Sequence, residues 1–248
     1  MTTTSRIEWT ERTWNPVVGC TKISAGCKFC YAEVMARRLQ AIGAKGYEQG
    51  FKTVRILPER LRDPVLRRPP TLYFVNSMSD LFHDQVPEEF IDQVFEVMRS
   101  TPRHTYQVLT KRGQRLARYA RKNGVPDNVW IGVSVENKRH GVPRIAHLQS
   151  APAATRFLSV EPLLEDVGVL DLSGIDWVIV GGESGHKARP MDIAWARNVQ
   201  RQCLEQGVLF FFKQWGNWGP DGLRRTKKAN GRKLDGRTWD EMPSLAMS

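Results

Sequence analysis

Thr105-Tyr-Gln-Val-Leu109 leads into Thr110, Lys111 and Arg112; Gly113 to Lys122 follows, and then Val129-Trp-Ile-Gly-Val133 runs into Ser134. The two outer runs are rich in β-branched and aromatic residues, the composition of strands buried on both faces. The middle segment sets Leu116, Ala117 and Ala120 on one stripe among basic residues, which predicts an amphipathic helix. Strand, helix and strand at this spacing predict two parallel strands with a helix packed outside them.

The same unit repeats along the chain. Thr71-Leu-Tyr-Phe-Val75 leads to Asn76, Ser77, Ser79 and Asp80; Val129 to Val133 leads on to Ser134, Glu136 and Asn137. Arg156-Phe-Leu158 leads to Ser159 and Glu161, Trp177-Val-Ile-Val180 to Gly181, Gly182, Glu183 and Ser184, and Val208 to Phe212 to Lys213 and Gln214. Pro87-Glu-Glu-Phe90 opens a helix with acids in its first turn, and Asp192 is the N-cap of another that Gly207 closes. The expected fold is therefore α/β, a single-domain, partial TIM-like barrel of parallel strands with outer helices. A first strand is expected around Trp14 to Val18, ending at Cys20. A doubly wound sheet is the alternative, and both architectures place ligands at the carboxyl ends of the strands. The barrel domain is expected over residues 1–220, with 221–248 a basic C-terminal tail docked on it.

The composition agrees with one domain. A chain of 248 residues, 41% of them hydrophobic, builds its own core without a metal or disulfide staple. No apolar run is long enough to cross a bilayer, and Met1-Thr-Thr-Thr-Ser-Arg6 lacks a signal peptide's apolar core, so a cytoplasmic location without membrane contact is expected. The 37 Lys and Arg exceed the 26 Asp and Glu, giving a net charge of +11 that suits a phosphate-rich partner, nucleic acid above all. No Ser–His–Asp or His-x-x-x-His arrangement points to a hydrolase.

Three of the 4 cysteines fall together in Gly19-Cys20-Thr-Lys-Ile-Ser-Ala-Gly26-Cys27-Lys-Phe29-Cys30-Tyr31, a C-x6-C-x2-C pattern just before a helix expected from Tyr31. Thiolates are soft ligands for iron–sulfur clusters or zinc. Gly19 and Gly26 let the backbone fold closely, and the helix N-terminus favours an anionic group. A cluster that only transfers electrons takes four cysteines, whereas three leave one iron open. The zinc alternative would add Cys203 or a distant histidine; Cys203, in an amphipathic helix, reads as a core thiol.

The triad, the helix behind it and the α/β repeats resemble the radical S-adenosylmethionine (SAM) superfamily, in which an aromatic commonly precedes the last cysteine, as Phe29 does here. That superfamily's usual spacing is C-x3-C-x2-C, and this chain's first gap is six residues. The resemblance implies a [4Fe–4S] cluster on Cys20, Cys27 and Cys30, SAM on the open iron, reductive cleavage to a 5′-deoxyadenosyl radical that abstracts hydrogen, and an electron donor that reduces the cluster. The whole chain also resembles a family of three-cysteine-motif proteins encoded by phages and bacteria. The matching stretches are Trp14-Asn-Pro-Val-Val-Gly-Cys20, Cys27 to Tyr31, Phe157-Leu-Ser-Val-Glu-Pro162, Gly181-Gly-Glu-Ser-Gly185 and Phe212-Lys-Gln-Trp215.

Around the strand ends, Lys111, Glu161 and Lys213 are the candidate catalytic residues. Phe29, Asn76, Ser77, Ser134, Glu136, Gly181, Gly182 and Glu183 are the candidate cofactor-binding residues. Gly-Gly-Glu also occurs near the SAM amino group in radical SAM enzymes, usually after the second strand, whereas here it follows the penultimate one. His83 is expected to face the site, while His104, His140 and His147 are expected at the surface or in packing. The basic run Arg55 to Arg68, the tail Leu223 to Lys233, and Trp215 with Trp218 suit a nucleic-acid surface; a solvated face with core tryptophans is the alternative. The leading function is a radical SAM-type enzyme, its substrate a nucleic-acid base undergoing modification or repair. A non-catalytic nucleic-acid-binding protein with a structural zinc or cluster is the alternative, and a redox sensor a third.

Overall fold

The computed structural model describes residues 3–5 and 7–245; the rest of the N-terminal hexapeptide and the last three residues of the tail lie outside them. Among the described residues ten strands occur in the order β1 (Thr3–Thr4), β2 (Arg12–Trp14), β3 (Val17–Val18), β4 (Arg55–Ile56), β5 (Leu72–Val75), β6 (Thr105–Thr110), β7 (Val129–Ser134), β8 (Thr155–Val160), β9 (Trp177–Gly181) and β10 (Leu209–Gln214). The main sheet runs β1-β2-β5-β6-β7-β8-β9-β10. Only β1 is antiparallel, to β2; the seven others are parallel neighbours and curl into a half-barrel with helices around it. The helices are α1 (Tyr31–Ala41), α2 (Arg62–Leu66), α3 (Glu88–Ser100), α4 (Gly113–Asn123), α5 (Pro143–Gln149), α6 (Ile193–Glu205) and α7 (Lys227–Asn230).

Alternation along each strand divides the core in two. Tyr73, Val75, Ile131, Val133, Leu158, Val160, Val178, Val180, Phe210 and Phe212 pack with the inner faces of the helices. Their odd–even partners Leu72, Phe74, Trp130, Phe157, Trp177, Ile179 and Phe211 gather with Trp9 in a separate cluster on the other face. A curled sheet has little room on its concave side, and large rings fill it: Trp9 lies 4.7 Å from Phe74 and 6.1 Å from Trp177, centroid to centroid. Gly132 shares the parity of Trp130, and a Cβ there would stand 2.6 Å from the Phe157 ring, so that position has space for a hydrogen only.

The first parallel strand is shorter than the Trp14–Val18 expectation. Strand β2 ends at Trp14, the chain turns through Asn15-Pro16, and β3 leaves the main sheet to pair antiparallel with β4. Asn15 organises the departure: its Oδ1 accepts from Met78 N at 3.0 Å and Ser77 Oγ at 3.2 Å. This side pair of strands leads into Gly19 and Cys20 at the carboxyl end of the sheet, with Cys20 N donating to Phe51 O at 2.8 Å.

Beyond β10 the chain runs back along that edge strand. Phe212 N donates to Trp239 O at 3.0 Å, Trp177 Nε1 to Glu241 O at 2.7 Å, and Trp215 Nε1 to Lys233 O at 2.8 Å. Leu234 is completely buried. The segment thereby covers a sheet edge that would otherwise expose unpaired backbone groups. Among the described residues no helix is long and apolar enough to cross a membrane.

Candidate active site

Every parallel strand delivers its carboxyl end to one mouth, and the cysteine segment folds across it. A cavity of about 360 Å³ opens there, walled by Cys20, Cys27, Phe29 and Cys30 on one side. Strands β5 to β10 supply the other side through Asn76, Ser77, Lys111, Ser134, Ser159, Glu161, Gly182, Glu183, Lys213 and Gln214. Ile7, Trp9, Phe51, Phe74 and Leu109 add an apolar part.

The thiol loop is held by close backbone approach. Gly19 has φ +81°, and a Cβ on it would lie 2.1 Å from Thr53 O. A Cβ on Gly26 would lie 3.1 Å from Glu136 Cγ. Cys30 is the N-cap residue of α1. Burial pushes the Cys20 thiol up to about 11, with Asp80 adding to the effect and Arg112 opposing it. Burial also raises Cys30, against the backbone N–H groups of Glu33 and Ala32 at the start of α1. Arg112 Nη1 lies 4.0 Å from Cys20 Sγ and donates to Asp80 Oδ2 at 3.0 Å, while Thr110 Oγ1 donates to Asp80 Oδ1 at 2.7 Å. A buried Asp–Arg pair thus braces the first cysteine from beneath.

Lys213 and Gln214 are neighbours in sequence yet both line the cavity. Register between β9 and β10 slips there, Phe212 pairing with Val180 and Gln214 with Gly181, so Lys213 is the extra residue of a bulge that re-aims its side chain. Lys213 Nζ donates to both oxygens of Glu161 at 2.8 Å, and Gln214 Nε2 donates to Gly182 O at 2.8 Å. Glu183 is held by Arg189, whose Nε, Nη2 and backbone N–H approach its carboxylate at 2.8, 2.5 and 2.9 Å. The same guanidinium donates to Ala25 O at 3.1 Å and stands 5.2 Å from the centre of the Phe29 ring.

The cavity therefore brings together the three cysteines with Phe29, Asn76, Ser77, Lys111, Ser134, Glu161, Gly182, Glu183 and Lys213. Two sequence candidates stand behind the wall. Gly181 is buried in β9, where a Cβ would lie 3.2 Å from Glu161. Glu136 is completely buried: burial would raise its carboxyl, but Lys111 and Arg144 outweigh this and hold it below the usual range. Its Oε2 accepts from Arg144 Nη1 at 2.6 Å. His83 does not line the cavity itself; it is buried behind Thr21, which does, with Nε2 2.7 Å from Thr21 Oγ1. His104 is a packing residue, fully buried with Nε2 against Pro64 O and Arg67 O, and Trp215 belongs to the core. Sequence reasoning missed Trp9, Arg189 and the bracing role of Arg112. An acid and a base six residues apart in one loop were the available signal for Arg189.

The donor chemistry of this wall fits a three-thiolate cluster. Cys20, Cys27 and Cys30 all line this one cavity, and among the described residues no group of three His, Cys, Asp or Glu side chains is gathered closely enough to hold a metal ion. Three buried polar atoms on the cavity residues lack a protein partner: Trp9 Nε1, Asn76 Nδ2 and Gln214 Oε1. Buried groups of this kind ordinarily have partners.

Fold and site together define an α/β half-barrel protein with a three-thiol mouth. The chain belongs to the family described as "Protein of unknown function (DUF5131)", which it matches over residues 4–243. No curated protein matches it. Among solved structures it is similar to spore photoproduct lyase complexed with dinucleoside spore photoproduct, at 14% identity and a TM-score of 0.47, over 82% of this chain and 63% of that one. A cysteine-to-serine variant of the lyase gives 14%, 0.49 and the same coverage. A double variant with bound AdoMet and dinucleoside spore photoproduct gives 13% and 0.46, again over 82% and 63%. The chain spans 63% of the length of these structures.

Proposed function

We propose that this chain is a radical SAM-type enzyme that carries a [4Fe–4S] cluster on Cys20, Cys27 and Cys30 and takes SAM into the adjoining cavity. The observation that carries the reading is the meeting of three thiols and the polar ends of strands β5 to β10 in one cavity. The bound cluster and SAM would supply reductive carbon–sulfur cleavage and, through it, hydrogen abstraction. The chain's own residues bind, orient and exclude water. Asn76 Nδ2 offers a donor and Gln214 Oε1 an acceptor, each already desolvated, so a ligand that pairs with them loses little to water. Lys213 Nζ, bonded to both oxygens of Glu161, keeps the third of its N–H donors for an incoming carboxylate or phosphate while the pair stays in place. Trp9, Phe74 and Leu109 line the cavity and keep water from a reactive carbon.

The substrate is a nucleic-acid base, for modification or repair. The net charge of +11 favours a polyanion. Anaerobic reconstitution with iron and sulfide, followed by reduction in the presence of SAM, tests the reading through 5′-deoxyadenosine formation. A brown protein that makes it, and loses the activity in Cys30→Ala, supports the proposal. A colourless protein that retains stoichiometric zinc overturns it in favour of a binding module.

A further inference from the structure

Cys20 stands apart from the other two thiols. A six-residue gap separates it from Cys27, and its sulfur has a cation beside it, Arg112 Nη1 lying 4.0 Å from Cys20 Sγ. Cys27 Sγ has a neutral neighbour instead, Ser24 Oγ at 3.6 Å. The Arg112 side chain is buried and tied on two further sides. Nη1 also donates to Asp80 Oδ2 at 3.0 Å, and Nη2 donates to Thr21 Oγ1 at 3.3 Å. Thr21 is held in turn by His83. Gln85 N donates to His83 Nδ1 at 3.1 Å, so in the neutral ring the proton sits on Nε2, 2.7 Å from Thr21 Oγ1. Both lone pairs of that hydroxyl are then used, and the guanidinium is fixed against the sulfur.

Asp80 does not need the arginine in order to be satisfied. Its Oδ1 accepts from Thr110 Oγ1 at 2.7 Å and Phe82 N at 3.0 Å, and its Oδ2 from Lys111 N at 3.2 Å. Arg112 is therefore more than the counter-ion of a buried acid, because its Nη1 is shared between that acid and a thiol. A hydrogen bond to a ligating sulfur and a buried positive charge both favour the form of an iron–sulfur centre that carries one more electron. The carboxylate of Asp80 works in the opposite sense, and the two groups already act oppositely on the Cys20 thiol.

We infer that Arg112 is a positioning residue that holds the Cys20 ligand and raises the reduction potential of the [4Fe–4S] cluster, while Asp80 limits the rise. The inference rests on the cluster reading above. Reduction adds one electron to the cluster, and no covalent bond forms or breaks. The pair thus acts through Cys20, on the one ligand that the six-residue gap sets apart.

The experiment titrates the reconstituted protein anaerobically with dithionite through mediator dyes, without SAM, and reads the reduced cluster by electron paramagnetic resonance. Arg112→Gln is expected to lower the equilibrium constant for reduction at least tenfold, a midpoint lower by about 59 mV for one electron. Arg112→Lys keeps the charge and is expected to recover most of the loss. Asp80→Asn is expected to move the midpoint the other way. Iron per chain in Arg112→Gln should stay at the wild-type value, since Asp80 retains three donors. An unchanged midpoint in Arg112→Gln overturns the inference. Shifts of the same sign in Arg112→Gln and Asp80→Asn mean a loosened loop and overturn it too. Should Arg112→Gln fail to fold, Asp80→Asn carries the test, and a midpoint that does not rise there overturns the inference. Arg112 also borders the cavity. SAM binding weakened tenfold in Arg112→Gln, with the SAM-free midpoint unmoved, makes the guanidinium a SAM contact and overturns its role on Cys20. A wild-type protein that assembles no iron–sulfur cluster brings down the cluster reading itself, a failure distinct from a cluster that forms and keeps its midpoint.

Discussion

Arg189 stands 5.2 Å from the centre of the Phe29 ring while its side chain holds both carboxylate oxygens of Glu183. One guanidinium therefore clasps the cysteine loop to the loop after β9, and its bond to Ala25 O spans 164 residues of sequence. Glu183 is almost fully buried, its side chain 5% exposed, and Arg189 is its ion-pair partner. The clasp is an ionic contact that a local stretch of chain could not make by itself.

Arg189→Met leaves the Glu183 carboxylate buried and unpaired. Because Arg189 is itself partly solvated, the expected loss is about 2–3 kcal/mol, below the full cost of a broken buried pair. Urea unfolding measures it, and the double variant Arg189→Met with Glu183→Gln should recover part of the loss. In the metal-free protein, Cys27 should be alkylated several-fold faster in Arg189→Met. Unchanged alkylation would mean that the loop does not depend on the clasp.

Lys213→Met removes the cation on Glu161 inside the cavity. The Lys213 and Glu161 side chains are only 14% and 18% exposed, so leaving Glu161 unpaired should cost about 2–3 kcal/mol of stability. Turnover should fall by about a hundredfold. Iron content per chain should stay at the wild-type value, which separates ligand binding from cluster assembly. A Lys213→Met protein with wild-type turnover would remove Lys213 from the catalytic set.

A methyl group on Gly182 would lie 2.0 Å from Trp215 O. The obstacle is backbone, which cannot rotate away, so Gly182→Ala should cost about 2–3 kcal/mol. Denaturant titration reads this directly. A change under about 0.5 kcal/mol, the range of an ordinary surface substitution, would show that the strand end is free to move.

Cys203 is completely buried in the core, and burial, with Glu241 adding to it, pushes its thiol up to about 12. Cys203→Ala should cost about 1–2 kcal/mol through the small void it leaves. Metal content should be unchanged, whereas Cys20→Ala, Cys27→Ala or Cys30→Ala should each reduce it strongly. Loss of metal in Cys203→Ala would reinstate it as a ligand.

His104 gives the protein an acid-sensitive core. Burial lowers its pKa, with Arg103 alongside, and the two carbonyls on Nε2 only partly oppose this. Nδ1 has no partner, so a second proton would be buried without an acceptor. In the unfolded chain the ring titrates near about pH 6.5. The folded value is lower, so the unfolded state binds the proton first as pH falls. Stability is therefore full above about pH 6.5 and declines below it, by up to about 1.4 kcal/mol per pH unit down to the folded pKa. His104→Gln should flatten this slope without abolishing it, since His83 is shifted the same way, chiefly by burial. An unaltered slope would show that His104 does not titrate on unfolding.

Much of the fold is readable from pattern. The segments Thr105–Leu109 and Val129–Val133 became β6 and β7 with one added residue each, because strand composition and a bounded length are local properties. Asp192 caps α6 through a 2.8 Å bond from Ala194 N, again a local matter. The first strand was not legible. Trp14, Val17 and Val18 are strand-type residues, yet Asn15-Pro16 interrupts them and the antiparallel pairing with Arg55–Ile56 takes the second half. A partner some forty residues away decides that competition, and no window of sequence contains it.

Sequence alone determined the repeating strand–helix unit, the polar residues at the strand ends, and three thiols ahead of a helix. Each of these follows from neighbouring residues through propensity, periodicity and ligand chemistry. Only the tertiary structure decided which strand-end groups share a wall. The curl of the sheet brought Lys213 to Glu161, the β10 bulge turned Lys213 and Gln214 to the same cavity, and the folded loop set Glu136 behind it rather than on it. Arg189 found Glu183 and Phe29 in the same way. Such convergence depends on sheet register and on contacts between distant segments, and these are settled when the whole core packs.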